Sequence, residues 1–101
     1  MSFKKLSDEQ IKELITRRRR QVLVHSCIYY NYDTNIITDE QFDKFCNELI
    51  KLQKEFPNLA EQCAYHEEMK KLSHASGFDL PYNMIDIRTK AQYLMQLRGL
   101  I

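Results

Sequence analysis

Glycine and proline are scarce in this sequence, since each occurs only twice in 101 residues. The many tight turns of an all-β domain depend on them, because glycine adopts positive φ and proline presets the turn backbone. Hydrophobic residues make up 44% and charged residues 29% of the chain, as in ordinary globular proteins. The length allows one domain. We therefore predict a single all-α domain over residues 1–101, a compact bundle of about four helices.

Two capping boxes mark the starts of the first two predicted helices, at Ser7–Gln10 and Thr38–Gln41. In each, a hydroxyl caps the helix and a glutamine reaches back from three residues later. Behind each box, apolar residues recur at helical spacing, and residues 22–28 are apolar nearly all round, which predicts the most buried stretch. A turn signal at 31–35 separates the helices, and Pro57 closes the second. We expect an antiparallel N-terminal hairpin.

Two further helices are predicted to cover the apolar faces of this hairpin. The third runs from about Leu59 to Ala75, with Gly77 just past its end. The fourth runs from about Asp86 to Arg98 and stops at Gly99. The predicted covering side chains are Leu59, Cys63, Met69 and Leu72 from the third helix, and Tyr93, Leu94 and Leu97 from the fourth.

Four consecutive arginines, Arg17 to Arg20, stand in a chain whose net charge is only +1. Successive helical residues lie about 100° apart, so the four cannot all face one partner. Arg18 falls within the apolar stripe of the first helix, and we predict that it is partnered rather than free in solvent. Arg17, Arg18 and Arg20 are candidates for a phosphate or partner contact, with a solvated helix face as the alternative. The near-neutral net charge argues against nucleic acid as a partner.

Motifs of metal binding and nucleophilic catalysis are absent from the sequence. The cysteines Cys27, Cys46 and Cys63 are widely spaced, and His66 opens HEEMK rather than HExxH. We therefore predict buried thiols, surface histidines and no metal. No Lys-x-Asp-Gly motif is present, and two glycines cannot build a glycine-rich phosphate loop, so we expect no catalytic residue and no enzyme. Without a signal peptide or membrane span, the expected location is the cytoplasm, with no membrane partner.

The segment around the predicted turn carries candidate binding residues. Tyr29 and Tyr30 end the first helix, and Asp39 and Asp43 lie one turn apart on the second, with Phe42 between them. The two carboxylates repel each other unless a cation compensates them, because the helix N-terminus helps only the first. A flat cation that stacks on aromatic rings and donates hydrogen bonds fits this set, and an oxidised nicotinamide ring is one. The alternative is that Asp39 is only a first-turn charge and Phe42 only a core residue.

The stretch from His25 to Leu49 resembles the N-terminal Ia subdomain of NAD-dependent DNA ligases, and the resemblance covers residues 14–59. That family has an aromatic pair, a short turn, Ile-x-Asp-x-x-Tyr-Asp, a Glu-Leu pair and a proline after the helix. The spacing here matches without a gap. Two departures are Phe42, where the family usually has tyrosine, and Asn35, where it often has proline.

The resemblance implies a small helical module that binds the NMN half of NAD. Carried over to this sequence, Tyr29 and Phe42 would flank the nicotinamide ring, and Tyr30 would lie near the phosphate or ribose. Asp39 and Asp43 would accept hydrogen bonds from the carboxamide and the ribose. Stacking survives the change to phenylalanine at position 42, but a phenolic hydrogen bond is lost.

Residues 60–101 show no family motif and are predicted to form an additional helical tail. The family continues into a nucleotidyltransferase domain, for which 101 residues leave no room. The resemblance therefore implies a detached, non-catalytic NMN- or NAD-binding module, of a kind expected in compact phage or plasmid genomes. The alternative is a small protein-interaction module, an adaptor or inhibitor of, for example, a host DNA ligase or a defence protein. The third hypothesis is a nucleic-acid-binding accessory that acts through Arg17–Arg20.

Overall fold

The computed structural model describes residue 3, residues 5–72 and residues 80–101. These residues form five helices and no strand, so the all-α prediction is confirmed. The helices are α1 (Asp8–Tyr32), α2 (Asp39–Glu55), α3 (Pro57–Glu61), α4 (His66–Met69) and α5 (Ile85–Leu97).

Both capping boxes form, and they explain why α1 and α2 begin where the sequence predicts. The Ser7 hydroxyl accepts a hydrogen bond from the Gln10 backbone at 3.2 Å, and the Gln10 side chain accepts one from the Ser7 backbone at 2.8 Å. Thr38 and Gln41 make the same reciprocal pair at α2. Each box satisfies two backbone donors that a helix start leaves without partners. At its other end, α1 stops where Asp33 adopts the left-handed conformation, with φ 51°.

The helices α1 and α2 are antiparallel neighbours, as predicted. Arg18 pairs with Glu48 of α2, whereas His25, further along α1, contacts Phe45, which comes earlier on α2. The Arg18 Nε atom lies 3.1 Å from a Glu48 carboxylate oxygen, and a second guanidinium nitrogen donates to Gln21 at 2.6 Å. The prediction that Arg18 is partnered is therefore confirmed.

The core follows the middle of α1, where every residue from 22 to 28 except His25 is buried. This stretch is the one that the sequence predicts to be most buried. Facing it are Cys46, Leu49 and Leu52 of α2, and Ile87, Ala91 and Met95 of α5.

The prediction that α5 covers the hairpin through Tyr93 and Leu97 is wrong. Tyr93 is 52% exposed and Leu97 is 65% exposed, while Leu94 is only half-buried. The buried row is instead Ile87, Ala91 and Met95, with spacing i, i+4. The small Ala91 lies at the centre of this row, and the larger Tyr93 and Leu97 lie off it.

The predicted helix from Leu59 to Ala75 is wrong in its continuity. The chain forms the short helices α3 and α4 instead, and between them Tyr65 adopts the left-handed conformation with φ 65°. The predicted covering residues of this region are placed as expected, because Cys63 and Met69 are buried and Leu59 and Leu72 pack against the core. The predicted end of the helix, at Ala75 and Gly77, lies outside the described residues.

Arg19 explains the break between α3 and α4. Its side chain is completely buried, and one guanidinium nitrogen donates to the backbone carbonyls of Ala60, Cys63 and Ala64 at 3.0–3.3 Å. Its Nε atom donates to Gln53 at 2.8 Å. By accepting from Arg19, these carbonyls obtain a donor where the helical hydrogen bonds end. Hydrogen bonds from the Arg19 side chain thus take the place of the backbone hydrogen bonds of a continuous helix in this segment.

The end of α5 follows the sequence closely. The helix spans Ile85–Leu97 against a predicted Asp86–Arg98. Gly99 has φ 70° and donates to the Gln96 carbonyl at 3.0 Å, while Leu100 donates to the Met95 carbonyl at 3.0 Å. This pair of bonds is a Schellman motif, which requires a residue that tolerates positive φ after the helix.

Candidate functional site

A pocket of about 200 Å³ opens where the end of α1 faces the start of α2. One wall comes from the last two turns of α1, and the other from the loop after it and the first turn of α2. The residues that line the pocket are His25, Ser26, Tyr29, Tyr30, Asn35, Ile36, Ile37, Thr38, Asp39 and Phe42. The volume is below the range of about 300–1,000 Å³ that is typical of clefts for drug-sized ligands. The pocket therefore suits a single ring better than a whole dinucleotide.

Four of the five residues predicted as a binding set lie in this lining: Tyr29, Tyr30, Asp39 and Phe42. The fifth, Asp43, is exposed on α2 one turn beyond Asp39 and is not part of the lining. The capping box places Asp39 and Phe42 at the pocket, because it fixes the first turn of α2 against the loop.

Two tyrosines form an aromatic edge at the pocket. The rings of Tyr29 and Tyr30 meet edge to face, with centroids 4.8 Å apart and planes at 86°. Tyr29 is 49% exposed and Tyr30 is 38% exposed, so both rings offer surface to a ligand. With the half-buried Phe42 on α2, the pocket presents aromatic side chains from both helices. Aromatic faces carry negative charge density that attracts a flat cation.

His25 was not recognised as a pocket residue, and its assignment as a surface histidine is wrong. It lies one turn before Tyr29 on α1, lines the pocket and contacts Phe45, with centroids 6.2 Å apart. Its Nδ1 atom is buried and has no hydrogen-bond partner among the described residues. Burial, with a smaller contribution from the charge of Arg98, lowers the pKa of His25 to about 4. The imidazole is therefore neutral at physiological pH, and Asp39 is the charged group among the described lining residues.

The loop between α1 and α2 also lines the pocket, with residues that the helical spacing of apolar residues in the sequence does not predict. Ile36 and Ile37 are half-buried and provide an apolar wall next to Asn35. Ser26 uses its hydroxyl to donate to the Val22 carbonyl at 2.7 Å. The signal that identifies this region is its position inside the stretch that resembles the Ia subdomain, rather than any property of a single residue.

The predicted arginine candidates do not line this pocket. Arg17 is exposed and pairs with Glu13 at 2.6 Å, which lowers the pKa of the Glu13 carboxyl. Arg18 pairs with Glu48 and lies over the ring of Phe45, at 5.0 Å from its centroid. The third, Arg20, lies over the ring of Tyr65 at 5.9 Å. Arg17 and Arg20 border a separate open groove between α1 and residues 62–64.

The three cysteines are free thiols and are buried, as predicted. Burial raises the pKa of the Cys46 thiol to about 12, so this cysteine has no nucleophilic character at physiological pH. Among the described residues, no three or more histidine, cysteine, aspartate or glutamate side chains form a group that could hold a metal ion. No helix in the described part of the chain is both long and apolar enough to cross a membrane.

Comparisons with known proteins place the pocket in a family context. The family model described as "DNA ligase-like, N-terminal NAD+-binding domain" matches residues 8–63, which is more than half of the chain and includes every residue that lines the pocket. No solved structure gives a significant match.

Curated relatives match the same part of the chain. A DNA ligase of Pseudothermotoga lettingae is 39% identical over 51 residues, which is 50% of this chain and 8% of the ligase. A DNA ligase of Thermotoga petrophila is 37% identical over 59 residues, and one of Leptospira biflexa 38% over 58 residues. The chain spans less than a tenth of the length of these relatives. By the match over residues 8–63, this chain belongs to the family of DNA ligase-like, N-terminal NAD+-binding domains.

Proposed function

We propose that this chain is a non-catalytic module that binds the NMN half of NAD in the pocket between α1 and α2. The observation that carries the proposal is the composition of the lining, where Tyr29, Phe42 and Asp39 meet within the family-matched residues. An oxidised nicotinamide ring is flat, cationic and bears a carboxamide, so it fits two aromatic walls and one carboxylate. The chain contains no Lys-x-Asp-Gly motif, and in this proposal it binds the nucleotide and carries out no covalent step.

The ring of the nicotinamide would enter the pocket, and the rest of the nucleotide would remain outside. A volume of about 200 Å³ accommodates the ring, and the ribose would then lie over the start of α2. Asp39 would accept a hydrogen bond from the carboxamide, and Asp43, exposed one turn later, would accept one from a ribose hydroxyl. Tyr30 would contact the ribose or the phosphate. The proposed contacts are those implied by the resemblance to the Ia subdomain.

Calorimetric titration with NMN, NAD, AMP and the reduced form of NMN tests the proposal. The reduced ring has the same outline but no positive charge. We expect NMN and NAD to bind, AMP not to bind, and reduced NMN to bind more weakly because it loses the cation–π attraction of about 0.5–2 kcal/mol. Binding of AMP alone, or equal binding of the oxidised and reduced forms, would contradict the proposed role of the aromatic walls.

A pair of matched variants isolates the carboxylate in the lining. Asp39 and Asp8 each follow a capping residue as the first residue of a helix, but only Asp39 lines the pocket. Charge-assisted hydrogen bonds contribute about 1.5–3 kcal/mol, so Asp39→Asn should weaken NMN binding by roughly ten- to a hundredfold. Asp43→Ala should weaken it by about tenfold if the ribose contact forms. Asp8→Asn should leave the affinity unchanged, and an equal loss for Asp8→Asn would show that only net charge matters.

A protein-interaction role is the second candidate, because α5 and the residues that follow it expose large apolar side chains. Ile85 is 85% exposed and Leu97 is 65% exposed, and Tyr93, Leu100 and Ile101 are also exposed. Exposed apolar patches are typical of surfaces that bind other proteins. In this case the module would act as an adaptor or inhibitor, for example of a DNA ligase. A folded chain that binds neither NMN nor NAD would favour this role over the first. For either role we propose the cytoplasm, since free buried thiols fit a reducing compartment.

A further inference from the structure

The end of α1 is held by residues that lie outside the family match. The ring of Tyr30, which lines the pocket, stacks on Tyr82, with centroids 5.4 Å apart and planes at 19°. Tyr30 in turn meets Tyr29 edge to face. Tyr82 is half-buried and packs against the core, so its ring provides a fixed surface behind the two pocket tyrosines. The family match ends at residue 63, and the contact therefore comes from the part of the chain that the match does not cover.

Two hydrogen bonds attach the following residues of α1 to the same part of the chain. The Asn31 side-chain amide donates to the Asn83 side-chain oxygen at 2.6 Å. The hydroxyl of Tyr32 accepts a hydrogen bond from the Gln92 side chain at 3.1 Å. With the stacked ring before them, three successive residues at the end of α1 each have a partner from residues 82–92.

The last turn of α1 needs such support. A helix leaves its final carbonyls without internal partners, and helix ends fray. The last turn of α1 contains no basic residue that would stabilise the carbonyl end of the helix dipole. Tyr29 and Tyr30 are also substantially exposed, so the core fixes only part of each ring.

We propose that Tyr82, Asn83 and Gln92 form a bracket that orders the last turn of α1 and so preorganises Tyr29 and Tyr30 for the nicotinamide nucleotide. Tyr82 is a positioning residue in this arrangement, because it acts on the ligand through Tyr30 and does not line the pocket. The inference rests on the proposed function for its ligand. It extends that function by assigning a role to residues beyond the family-matched part of the chain.

The bracket lowers the cost of ordering the binding surface. A ligand that meets disordered side chains must immobilise them, and each one reduces the affinity by about two- to tenfold. With the bracket formed, Tyr30 is already held when the ligand arrives. Removal of the Tyr82 ring should thus weaken binding of the nucleotide without removing any atom from the pocket.

The test uses three variants of Tyr82 and one control in the full chain. Tyr82→Ala removes the ring, Tyr82→Leu keeps apolar bulk without an aromatic face, and Tyr82→Phe keeps the stacking ring. The control is Tyr93→Ala, which removes an exposed tyrosine of α5 whose ring contacts Lys90, with Nζ 5.2 Å from the ring centroid. Two readouts are measured: the affinity for NMN, and hydrogen exchange of the Asp33 amide, which donates to the Tyr29 carbonyl at the end of α1.

Tyr82→Ala is expected to weaken NMN binding by about three- to tenfold and to speed exchange of the Asp33 amide by a similar factor. Tyr82→Phe should restore both values, Tyr82→Leu should restore neither fully, and Tyr93→Ala should change neither. Unchanged exchange and affinity in Tyr82→Ala would overturn the bracket. If Tyr82→Ala fails to fold, Asn83→Ala takes its place, because it removes only the hydrogen bond to Asn31.

The two proposals fail in distinguishable ways. A folded wild-type chain that does not bind NMN would refute the proposed function, while the exchange measurement would still report whether the bracket orders the end of α1. Wild-type binding with equal affinity in Tyr82→Ala would leave the function intact and refute the bracket as a positioning device.

Discussion

The middle and the end of α1 use their polar side chains in opposite ways. In the middle, Arg19 is completely buried, and each of its guanidinium nitrogens lies within 3.4 Å of an acceptor atom. At the end, Tyr29 and Tyr30 are partly exposed and depend on each other and on Tyr82 for support. One continuous helix thus stabilises the fold at its centre and carries the proposed binding surface at its end.

The largest expected effect comes from the buried centre. Arg19→Met keeps much of the apolar stem but removes the guanidinium donor of the Cys63 and Ala64 carbonyls and of the Gln53 side-chain oxygen. A buried polar group that loses its partner costs about 1–3 kcal/mol, and Arg19 partners several such groups. Several such losses together should make Arg19→Met lower the free energy of unfolding by about 3–5 kcal/mol in urea denaturation.

The matched control is the neighbouring Arg17, which is exposed and pairs with Glu13 one turn earlier. Arg17→Met should leave the urea midpoint close to that of the wild type, because exposed ion pairs contribute little. Similar midpoints for the two variants would mean that the Arg19 network does not hold α3 and α4 in place.

The next effect concerns pH and His25. The pKa of this histidine is lowered to about 4 in the folded protein, chiefly by burial, against 6.5 for an unperturbed histidine. The fold thus favours the neutral ring. Its contribution to stability is complete above pH 6.5 and is lost as the pH falls towards 4, by about 3 kcal/mol in total. Stability curves measured at pH 7, 5.5 and 4.5 should show this loss.

His25→Gln removes the titrating group and should flatten the dependence on pH. Other groups with lowered pKa values, such as Glu13 and Glu67, respond only near and below their usual 4.5, so these carboxyls do not cause a change between pH 6.5 and 5. An unchanged slope in His25→Gln over that range would show that another group causes it.

Local signals in the sequence predict the hairpin well, because its boundaries depend on neighbours in the chain. The capping boxes at Ser7 and Thr38 and the glycine at position 99 give the helix ends directly. The break between α3 and α4 could not be predicted in this way. It depends on Arg19, which lies more than forty residues earlier in the chain than the carbonyls that it binds. The face that α5 buries, with Ile87, Ala91 and Met95, likewise depends on packing against the rest of the fold rather than on neighbours in the sequence.

The residues at the pocket likewise divide into those that the sequence predicts and those that depend on distant contacts. The aromatic and acidic residues Tyr29, Asp39 and Phe42 were predicted from their spacing and from the resemblance, and the structure brings them together. His25 was missed although it lies within residues 22–28, the stretch that the sequence predicts to be most buried. Tyr82 was missed because nothing in its neighbourhood in the sequence indicates the stacking contact with Tyr30.

The smallest expected effect concerns Phe42, where the resembling family usually has tyrosine. The ring lines the pocket and is half-buried, so Phe42→Tyr adds a hydroxyl without removing the stacking surface. A net hydrogen bond contributes about 0.5–1.5 kcal/mol, which corresponds to an increase in NMN affinity of about two- to tenfold. Phe42→Leu is the control, since it keeps apolar bulk but removes the aromatic face, and it should weaken NMN binding. Affinity that falls in Phe42→Tyr as much as in Phe42→Leu would mean that the hydroxyl does not fit beside the ligand, and that this pocket binds the ring by stacking alone.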